Sequence, residues 1–338
     1  MFFTVFFENK SQILARQSFF LISASESLPF PNMQNEATER PKRVLITGCS
    51  SGFGLLTAVE AAREGFDVVA TMRKLDKAGP LLQALEKSNL TVKIERLDIT
   101  DPASIETIVQ QFSPIDILIN NAGILIAGSF LDLTEQECDK IFQTNYFGPV
   151  RLTRAVVPQM IQRKSGRIVN IASLAGLIGH PFNSAYAASK HALIGFTQSI
   201  RVELAPFGID VVSVEPGYHK TEIIGANANQ AEHFYDRTSP MFEWNRGFLK
   251  AMFEEILPRA GDPQQVADLI VRIISCEKPK AHYIIGKDAA FAMTFKSLGL
   301  WGWLERQIIR KIRKYRRLEN QREEEKRNRR KQSASIRK

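Results

Sequence analysis

A glycine-rich turn between a short strand and a helix constrains the fold of this 338-residue chain most strongly. Arg43–Thr47 is apolar and β-branched, as in a buried strand, and runs directly into Thr47–Gly54, which holds glycines at 48, 52 and 54. Leu55–Glu64 then carries apolar residues at helical spacing, and Phe66–Thr71 reads as a second strand. Such a βαβ unit predicts dinucleotide binding, because the glycines let a pyrophosphate approach the free N–H groups of the helix.

The rest of the chain repeats the alternation of strand and helix. Apolar strand-like segments alternate with helical segments from residue 43 to about residue 290, which predicts an α/β fold with a doubly wound parallel sheet. The content of 44% hydrophobic and 24% charged residues is ordinary for a soluble protein with a large core. We predict a single domain over residues 41–295 with a helical substrate lid at about 218–258, an N-terminal extension over 1–40 and a basic C-terminal helix and tail over 296–338.

Tyr186 and Lys190 lie four residues apart, which places both side chains on one face of a helix. An isolated phenol has a pKa near ~10, too high for ready proton exchange at neutral pH, and a neighbouring ammonium lowers that pKa. Ser173, thirteen residues upstream, supplies a hydroxyl that can bond the same substrate oxygen. Tyr–Lys pairs at this spacing also occur on ordinary exposed helices, so the meaning of this pair depends on the motifs around it.

Further motifs follow in order along the chain, each after an apolar strand. They are Leu97–Thr100, Asn120–Gly123 after Ile115–Ile119, Asn145, and Pro216–Gly217 with Thr221 after Ile209–Val214. Together with the glycine turn and the Tyr186 segment, they resemble the short-chain dehydrogenase/reductase family over about residues 42–290. This resemblance implies a Rossmann-type fold and a catalytic tetrad. The tetrad is Asn145, Ser173, Tyr186 and Lys190.

The same resemblance implies which residues bind the cofactor. Asp98 matches the aspartate that meets the adenine ring, and Pro216–Gly217 matches the motif that contacts the nicotinamide. The whole predicted set is Thr47, Gly48, Ser50, Ser51, Gly52, Phe53, Gly54, Arg73, Asp98, Ile99, Asn121, Ala122, Gly123, Tyr186, Lys190, Pro216, Gly217 and Thr221.

The end of the second strand bears on which dinucleotide binds. An acid about 20 residues past the glycines usually binds the ribose of NAD. Here Met72 occupies that place and Arg73 follows it. An acid would repel a 2′-phosphate, whereas a guanidinium holds it through two parallel hydrogen bonds. We therefore predict NADP(H); a surface arginine that only ends the strand, with NAD(H) accepted equally, is the alternative.

The family resemblance also implies a mechanism. Tyr186 would exchange a proton with the substrate oxygen, and Ser173 would orient that oxygen. Lys190 would lower the pKa of the tyrosine and hold the nicotinamide ribose, and Asn145 would anchor a proton-relaying water. The implied activity is NADP(H)-dependent interconversion of a hydrophobic ketone or aldehyde and its alcohol, by a homodimer or homotetramer. The alternative is a non-catalytic NADPH-binding sensor or scaffold, although such proteins usually lack the tyrosine or the lysine.

Substrate preference is indicated only by family branch and by the lid. Ile46–Gly52, Ala70–Arg73 and Pro181–Lys190 are similar to the 17-beta-hydroxysteroid and retinol dehydrogenase branch, which implies a steroid-, retinoid- or lipid-like substrate. His219 and His233 also lie in the lid region, and we expect each to be exposed or to pack. An aromatic lid suits an apolar ligand, although we expect most of its rings to pack the lid helices together. These rings are Phe234, Tyr235, Phe242, Trp244, Phe248 and Phe253.

The N-terminal extension holds two apolar runs split by Glu8–Gln12. Each run is too short to span a bilayer, and neither matches a secretory signal. We expect the extension to be disordered or not natively translated, with Met33 as the natural start; a weak organelle-targeting segment is the alternative. The cysteines at 49, 138 and 276 show no metal-ligand spacing. We therefore predict a cytoplasmic protein with reduced thiols and no bound metal.

The C-terminal segment carries the positive charge of the chain. Residues 296–338 hold 16 Lys or Arg and 5 Glu, a net charge of +11, whereas the other residues sum to −2. An apolar stripe at helical spacing consists of Trp301, Leu304, Ile308, Ile312 and Tyr315.

Two interpretations of this basic amphipathic helix stay open at the level of sequence. Residues 296–318, with Trp301 and Trp303 at the start of the helix, suit peripheral contact with an anionic membrane surface. The stripe suits docking on the protein's own lid or on a dimer partner equally well. We expect the polar chain beyond Leu318 to be frayed or disordered, and no recognition motif supports binding of nucleic acid.

Overall fold

The structure is a computed structural model and describes residues 40–223 and 229–336. The predicted N-terminal extension lies outside the described residues up to position 39, and so do its apolar runs and Met33. Positions 224–228 of the predicted lid also lie outside them.

The described residues form a seven-stranded parallel sheet and a separate pair of two-residue strands. The strands are β1 Arg43–Thr47, β2 Asp67–Met72, β3 Lys93–Arg96, β4 Ile117–Asn120, β5 Ile126–Ala127, β6 Gly166–Ile171, β7 Ile209–Pro216, β8 Asn229–Gln230 and β9 His282–Ile285. The large sheet has the order β3-β2-β1-β4-β6-β7-β9, and β5 pairs with β8. This is the doubly wound parallel sheet that the sequence predicts.

Helices cover the two faces of the large sheet, and Phe242–Ala251 lies in the predicted lid region. They are α1 Gly52–Arg63, α2 Gly79–Lys87, α3 Pro102–Phe112, α4 Glu135–Phe142, α5 Gly148–Arg163, α6 Ser184–Leu204, α7 Phe242–Ala251, α8 Gln264–Ser275, α9 Lys287–Ser297 and α10 Trp301–Ile336. A π-helical turn, Gln143–Phe147, joins α4 to α5.

Alternate residues of β1 show how the two cores form. Val44 and Ile46 point to one face, where they pack with residues of α1, α2 and α8. Leu45 points to the other face and packs with residues of α3, α5 and α6. Because both faces are buried, the strand reads as a continuous apolar run in the sequence.

The predicted helix Leu55–Glu64 starts earlier in the structure, at Gly52. Ser51 is the N-cap residue with extended backbone angles, so the last two glycines of the turn already belong to the first turn of α1. The chain therefore passes from strand to helix in very few residues, at the carboxyl end of β1. The order of strands reverses between β1 and β4, and α/β folds bind ligands in the crevice at such a point.

The C-terminal helix α10 packs on the lid helix α7. At Gly247 the two helices approach so closely that an added Cβ would lie 2.8 Å from the backbone nitrogen of Arg316. Tyr315 of the apolar stripe lies at this close approach and is buried, and the other four members of the stripe are half-buried. Of the two interpretations left open by the sequence, docking of the stripe on the protein itself is the one found in the structure.

The expectation of disorder beyond Leu318 is wrong, because α10 continues to Ile336. Arg246 of the lid pairs with Glu319 at 3.1 Å and with Glu323 at 2.9 Å, and Asn320 donates a hydrogen bond of 2.9 Å to Glu243. These partners lie more than 70 residues earlier in the chain. The composition of the segment beyond Leu318 alone does not indicate that these partners exist.

Candidate active site

The glycine turn between β1 and α1 is shaped by backbone geometry that other residues adopt poorly. Gly48 and Gly52 have positive φ angles of 75° and 58°. At Gly54 an added Cβ would lie 2.4 Å from the carbonyl oxygen of Gly48 and 2.5 Å from Nδ2 of Asn121. Ser51 makes no side-chain capping bond to α1 within the described part of the chain, so the N–H groups of the first turn can bind an anion.

Thr47 and Asn121 tie the glycine turn to the end of β4. The Thr47 hydroxyl accepts hydrogen bonds from the backbone N–H groups of Asn121 and Ala122, each at 3.0 Å. The Asn121 side chain donates in return to the carbonyls of Thr47 at 2.8 Å and Gly48 at 3.2 Å. Two motifs that lie more than 70 residues apart in the chain therefore form one rigid rim.

Other predicted cofactor residues line the same edge of the sheet. Asp98 accepts hydrogen bonds from the backbone and hydroxyl of Thr100 at 2.9 and 2.7 Å, which fixes its carboxylate after β3. Ile99 is buried next to Gly148. Arg73 is exposed just after β2, and among residues 40–223 and 229–336 it has no ion pair or side-chain hydrogen bond.

Tyr186 and Ser173 meet at the carboxyl end of β6. Burial raises the pKa of Tyr186 to about 12, and a hydrogen bond with Ser173 opposes that rise. The Ser173 hydroxyl also accepts from the backbone N–H of Ala175 at 3.1 Å, so its position is set by the short turn that follows the strand. Two of the predicted tetrad residues thus lie on the wall of the same cavity.

Lys190 lies one helical turn beyond Tyr186, as the spacing predicts. Its Nζ is 5.8 Å from the centre of the Tyr186 ring and donates a 2.8 Å hydrogen bond to the carbonyl of Ile171. Burial lowers the pKa of Lys190 to about 8, because the ammonium loses its water. In this arrangement burial and Ser173 govern the pKa of the tyrosine, and its lowering by Lys190 stays a prediction.

Asn145 lies in the π-helical turn, and its side chain hydrogen-bonds the backbone directly after the Asn120–Gly123 motif. Its Oδ1 accepts from the Ile124 N–H at 2.8 Å, and its Nδ2 donates to the Ile124 carbonyl at 2.9 Å and to Ser189 at 3.1 Å. A Cβ on Gly123 would lie 3.3 Å from Asn145 Oδ1 and 3.6 Å from Lys190 Nζ. The fourth tetrad residue is therefore next to the lysine.

A cavity of about 160 Å³ opens beside Ser173 and Tyr186, and most of its lining is apolar. Pro216, Gly217 and Thr221 of the predicted set lie on its wall. Of the six lid aromatics only Phe248 and Phe253 reach it. The lining residues are Phe53, Leu125, Ala127, Ala172, Ser173, Leu174, Ala175, His180, Asn183, Tyr186, Pro216, Gly217, Tyr218, His219, Thr221, Ile223, Gln230, Phe248, Leu249, Met252, Phe253 and Leu257.

Most of the other lid aromatics pack, as expected, whereas Tyr235 is exposed. Phe234 is fully buried beneath the lid, and the Arg316 guanidinium lies over Trp244 at 4.4 Å. The two lid histidines also follow the expectation: His219 is buried with its ring 5.6 Å from that of Phe53, and His233 is exposed.

Three polar residues on the cavity wall were not found from the sequence. His180, Asn183 and Tyr218 all line the cavity, and His180 Nε2 lies 2.8 Å from the Tyr218 hydroxyl. The place of Tyr218 directly after Pro216–Gly217 was a usable signal, since that motif ends a strand at the site. Nothing in the sequence near His180 marks it as a partner of residue 218.

Cys49, inside the glycine turn, is a packing residue. Its thiol is buried, and burial raises its pKa to about 12 although a hydrogen bond with the Thr71 backbone acts in the opposite direction. Such a thiol is neutral and unreactive.

Comparison with known proteins gives a consistent result. The family model described as short chain dehydrogenase matches residues 42–232. The chain is 36% identical to the uncharacterized oxidoreductase YusZ of Bacillus subtilis, over 80% of this chain and 98% of that protein. It is 38% identical to retinol dehydrogenase 8 of Bos taurus, over 71% of this chain and 80% of that protein.

A solved structure agrees with these relatives. A short-chain dehydrogenase from Sphingobium yanoikuyae in complex with NADPH has a TM-score of 0.58 and 28% identity, covering 77% of this chain and 95% of the other. The sequence motifs, the order of strands in the sheet and the geometry of the site all agree with this family. The chain is an oxidoreductase that belongs to the short-chain dehydrogenase family.

Proposed function

We propose that this protein interconverts a hydrophobic ketone or aldehyde and the corresponding alcohol, with NADP(H) as the redox cofactor. The observation that carries this proposal is that Tyr186 and Ser173 line one apolar cavity, with Lys190 Nζ 5.8 Å from the ring of the tyrosine. That cavity adjoins a glycine turn whose backbone leaves room for a pyrophosphate.

The residues present fit a dinucleotide. Gly48, Gly52 and Gly54 keep the turn free of side chains where a pyrophosphate would lie, and the first turn of α1 offers N–H groups to it. Asp98, whose carboxylate is held by Thr100, would meet the adenine end. When bound, the nicotinamide supplies or takes the hydride.

Residues of this chain transfer the proton to and from the substrate oxygen. Tyr186 passes its phenolic proton to the substrate oxygen in reduction and receives it in oxidation. Ser173 orients that oxygen by a hydrogen bond. Lys190 titrates near neutral pH because burial lowers its pKa to about 8, which suits a group that returns a proton to the tyrosine.

The lining of the cavity supports an apolar substrate, and so does the relative named retinol dehydrogenase 8. The direct test is NADPH oxidation by the full chain against a panel of alkyl ketones, aldehydes, retinal and ketosteroids. Turnover of at least one class is expected. Tight NADPH binding without turnover of any class would favour the sensor interpretation instead.

Cofactor preference provides a second test of the proposal. Arg73 is exposed directly after β2, at the predicted ribose end of the site, where a guanidinium would bond a 2′-phosphate on two sides. We expect Arg73→Asp to lower kcat/KM with NADPH by about tenfold to a hundredfold, because a charge-assisted hydrogen-bond pair worth about 1.5–3 kcal/mol is replaced by repulsion.

The measurement is kcat/KM for NADPH and NADH with one ketone substrate. Arg63→Asp, an exposed change at the end of α1, is the control and should leave the preference unchanged. A wild type that prefers NADH, or an unchanged preference in Arg73→Asp, would refute the assignment of Arg73.

We propose in addition that the corner between α9 and α10 contacts an anionic membrane surface. Phe291, Leu298, Leu300 and Trp303 are 51, 65, 45 and 46% exposed there, and the Phe295 ring stacks on Trp303 at 5.5 Å. Basic side chains of α10 lie next to this corner, which suits anionic lipid headgroups. No helix in residues 40–223 and 229–336 has the length and apolarity needed to cross a membrane.

The double variant Leu298→Ser/Trp303→Ser tests this contact. Each apolar side chain removed from water contributes about 1.5–3 kcal/mol, so we expect the partition coefficient onto phosphatidylserine-containing vesicles to fall at least about tenfold. Sedimentation of the full chain with vesicles measures it. Val202→Ser is the control, since Val202 is 75% exposed on α6. Equal sedimentation of all three proteins would exclude this surface.

A further inference from the structure

Three polar side chains form a connected group on the cavity wall beside Tyr186; we call His180, Asn183 and Tyr218 the polar trio. The Tyr218 hydroxyl lies 2.8 Å from Nε2 of His180. Nδ1 of the same ring lies 3.3 Å from Nδ2 of Asn183 and 3.4 Å from the carbonyl oxygen of Pro181. All three members line the cavity that holds the proton-transfer residues.

The polar trio leaves an acceptor unused. Asn183 is only 6% exposed, and its Oδ1 accepts no hydrogen bond from any residue in the described part of the chain. An unpaired buried amide oxygen destabilises the folded protein, because it has lost its water without gaining a partner. Because this one belongs to a cavity-lining side chain, a donor on a bound molecule can remove that cost.

Tyr218 also keeps hydrogen-bonding capacity toward the cavity. A ring nitrogen cannot accept from the Asn183 amide and donate to the Pro181 carbonyl at once. If Nδ1 accepts, Nε2 donates to the Tyr218 oxygen and the phenolic proton stays without an acceptor in the trio. If Nδ1 donates, the Tyr218 hydroxyl donates to Nε2 and its lone pairs stay free. Burial lowers the pKa of His180, which favours these neutral states.

We infer that the polar trio binds a second oxygen of the substrate and that this oxygen is a hydroxyl. A hydroxyl can donate its single proton to Asn183 Oδ1, and when His180 Nδ1 accepts from Asn183 its oxygen can also accept the phenolic proton of Tyr218. A carbonyl or ether oxygen only accepts, so it would leave Oδ1 unpaired. The substrate class is therefore a lipophilic hydroxyketone, or the corresponding diol in the direction of oxidation.

The location of the trio sets where the hydroxyl lies. Tyr218 and Tyr186 both line the same cavity of about 160 Å³, so a group bound by Tyr218 lies close to the oxygen bound by Tyr186. The backbone N–H of Tyr218 donates to Asp288 at 2.8 Å, which holds the residue in place. The second oxygen thus belongs only a few atoms from the reacting carbon. This inference rests on the proposed carbonyl–alcohol activity.

The test compares three matched ketones as substrates of the full chain with NADPH: 2-decanone, 3-hydroxy-2-decanone and 4-hydroxy-2-decanone. A net hydrogen bond in a protein site contributes about 1–1.5 kcal/mol, so kcat/KM for one of the hydroxyketones is expected to exceed that for 2-decanone by about tenfold. Turnover of 2-decanone without any preference would overturn the inference and leave the proposed function standing. Failure to reduce any carbonyl of the wider panel would overturn both.

Two variants test whether the polar trio causes the preference for a hydroxyketone over 2-decanone. In Tyr218→Phe and in Asn183→Leu, kcat/KM for the preferred hydroxyketone is expected to fall about tenfold more than that for 2-decanone. Asn183→Leu also serves if Tyr218→Phe folds poorly, since the Asn183 side chain makes no capping bond to α6. Tyr235→Phe, a change at an exposed tyrosine outside the cavity, should keep the full preference. Equal losses for all three ketones would assign the trio a structural role and overturn the inference.

Discussion

Tyr186→Phe is expected to lower kcat for carbonyl reduction by about 10²–10⁴-fold while NADPH still binds. The variant removes only the hydroxyl that passes a proton to the substrate. The ring stays, and so does its contact with Lys190, whose Nζ lies 5.8 Å from the ring centre. Steady-state kinetics with any ketone that the wild type reduces, together with fluorescence titration of NADPH, measures both quantities.

The control for this variant is Tyr235→Phe, which removes a phenol from an exposed position of the lid. Its kcat is expected to equal that of the wild type. A Tyr186→Phe protein that retains more than about a tenth of wild-type kcat would show that another group supplies the proton. Loss of NADPH binding together with activity would assign the hydroxyl to cofactor binding instead of proton transfer.

Lys190→Met is expected to abolish most turnover and to make the ligand-free protein more stable at neutral pH. Burial lowers the pKa of Lys190 from 10.5 to about 8, so the folded state holds an ammonium that it solvates poorly. At about 1.4 kcal/mol per pKa unit, less the lost hydrogen bond to Ile171, we expect a net gain on the order of 2 kcal/mol at pH 7. The residue would thus illustrate a site that trades stability for activity.

The pH dependence of this gain has a definite sign. The folded pKa is depressed, so between about pH 8 and 10.5 the unfolded chain binds more protons than the folded one, and wild-type stability rises with pH. The advantage of Lys190→Met is therefore full below about pH 8 and shrinks above it. Urea denaturation at neutral and alkaline pH measures this, with the exposed Lys87→Met as control. A gain that does not change with pH would contradict the explanation.

The glycine turn and the tetrad could be predicted from sequence because each depends on local rules. Gly48 and Gly54 are required by backbone angles or close approach within one turn, and Tyr186 and Lys190 share a helical face by spacing alone. Ser173 joins them because strand ends of a parallel sheet meet at one edge. Such features need no knowledge of which distant side chains come into contact.

The features that sequence reasoning missed depend on distant contacts. His180 and Tyr218 lie 38 positions apart and meet only because the segments after β6 and β7 fold over the same cavity. The helix beyond Leu318 persists through partners on α7, such as Arg246. In both cases the residues have ordinary local composition, and the decisive information lies in a partner that periodicity does not reveal.

Charged pairs between α10 and α7 oppose sliding of one helix along the other. The lid presents both signs of charge to the helix: Glu243 bonds Arg316 at 2.9 Å, whereas Arg246 bonds Glu319 at 3.1 Å. A slide of α10 by one helical turn, about 5.4 Å, would break these alternating pairs and bring like charges together. A strongly basic helix held by acids alone could slip along them. The mixed pairing therefore favours this alignment of α10 on α7 over alignments shifted by one helical turn.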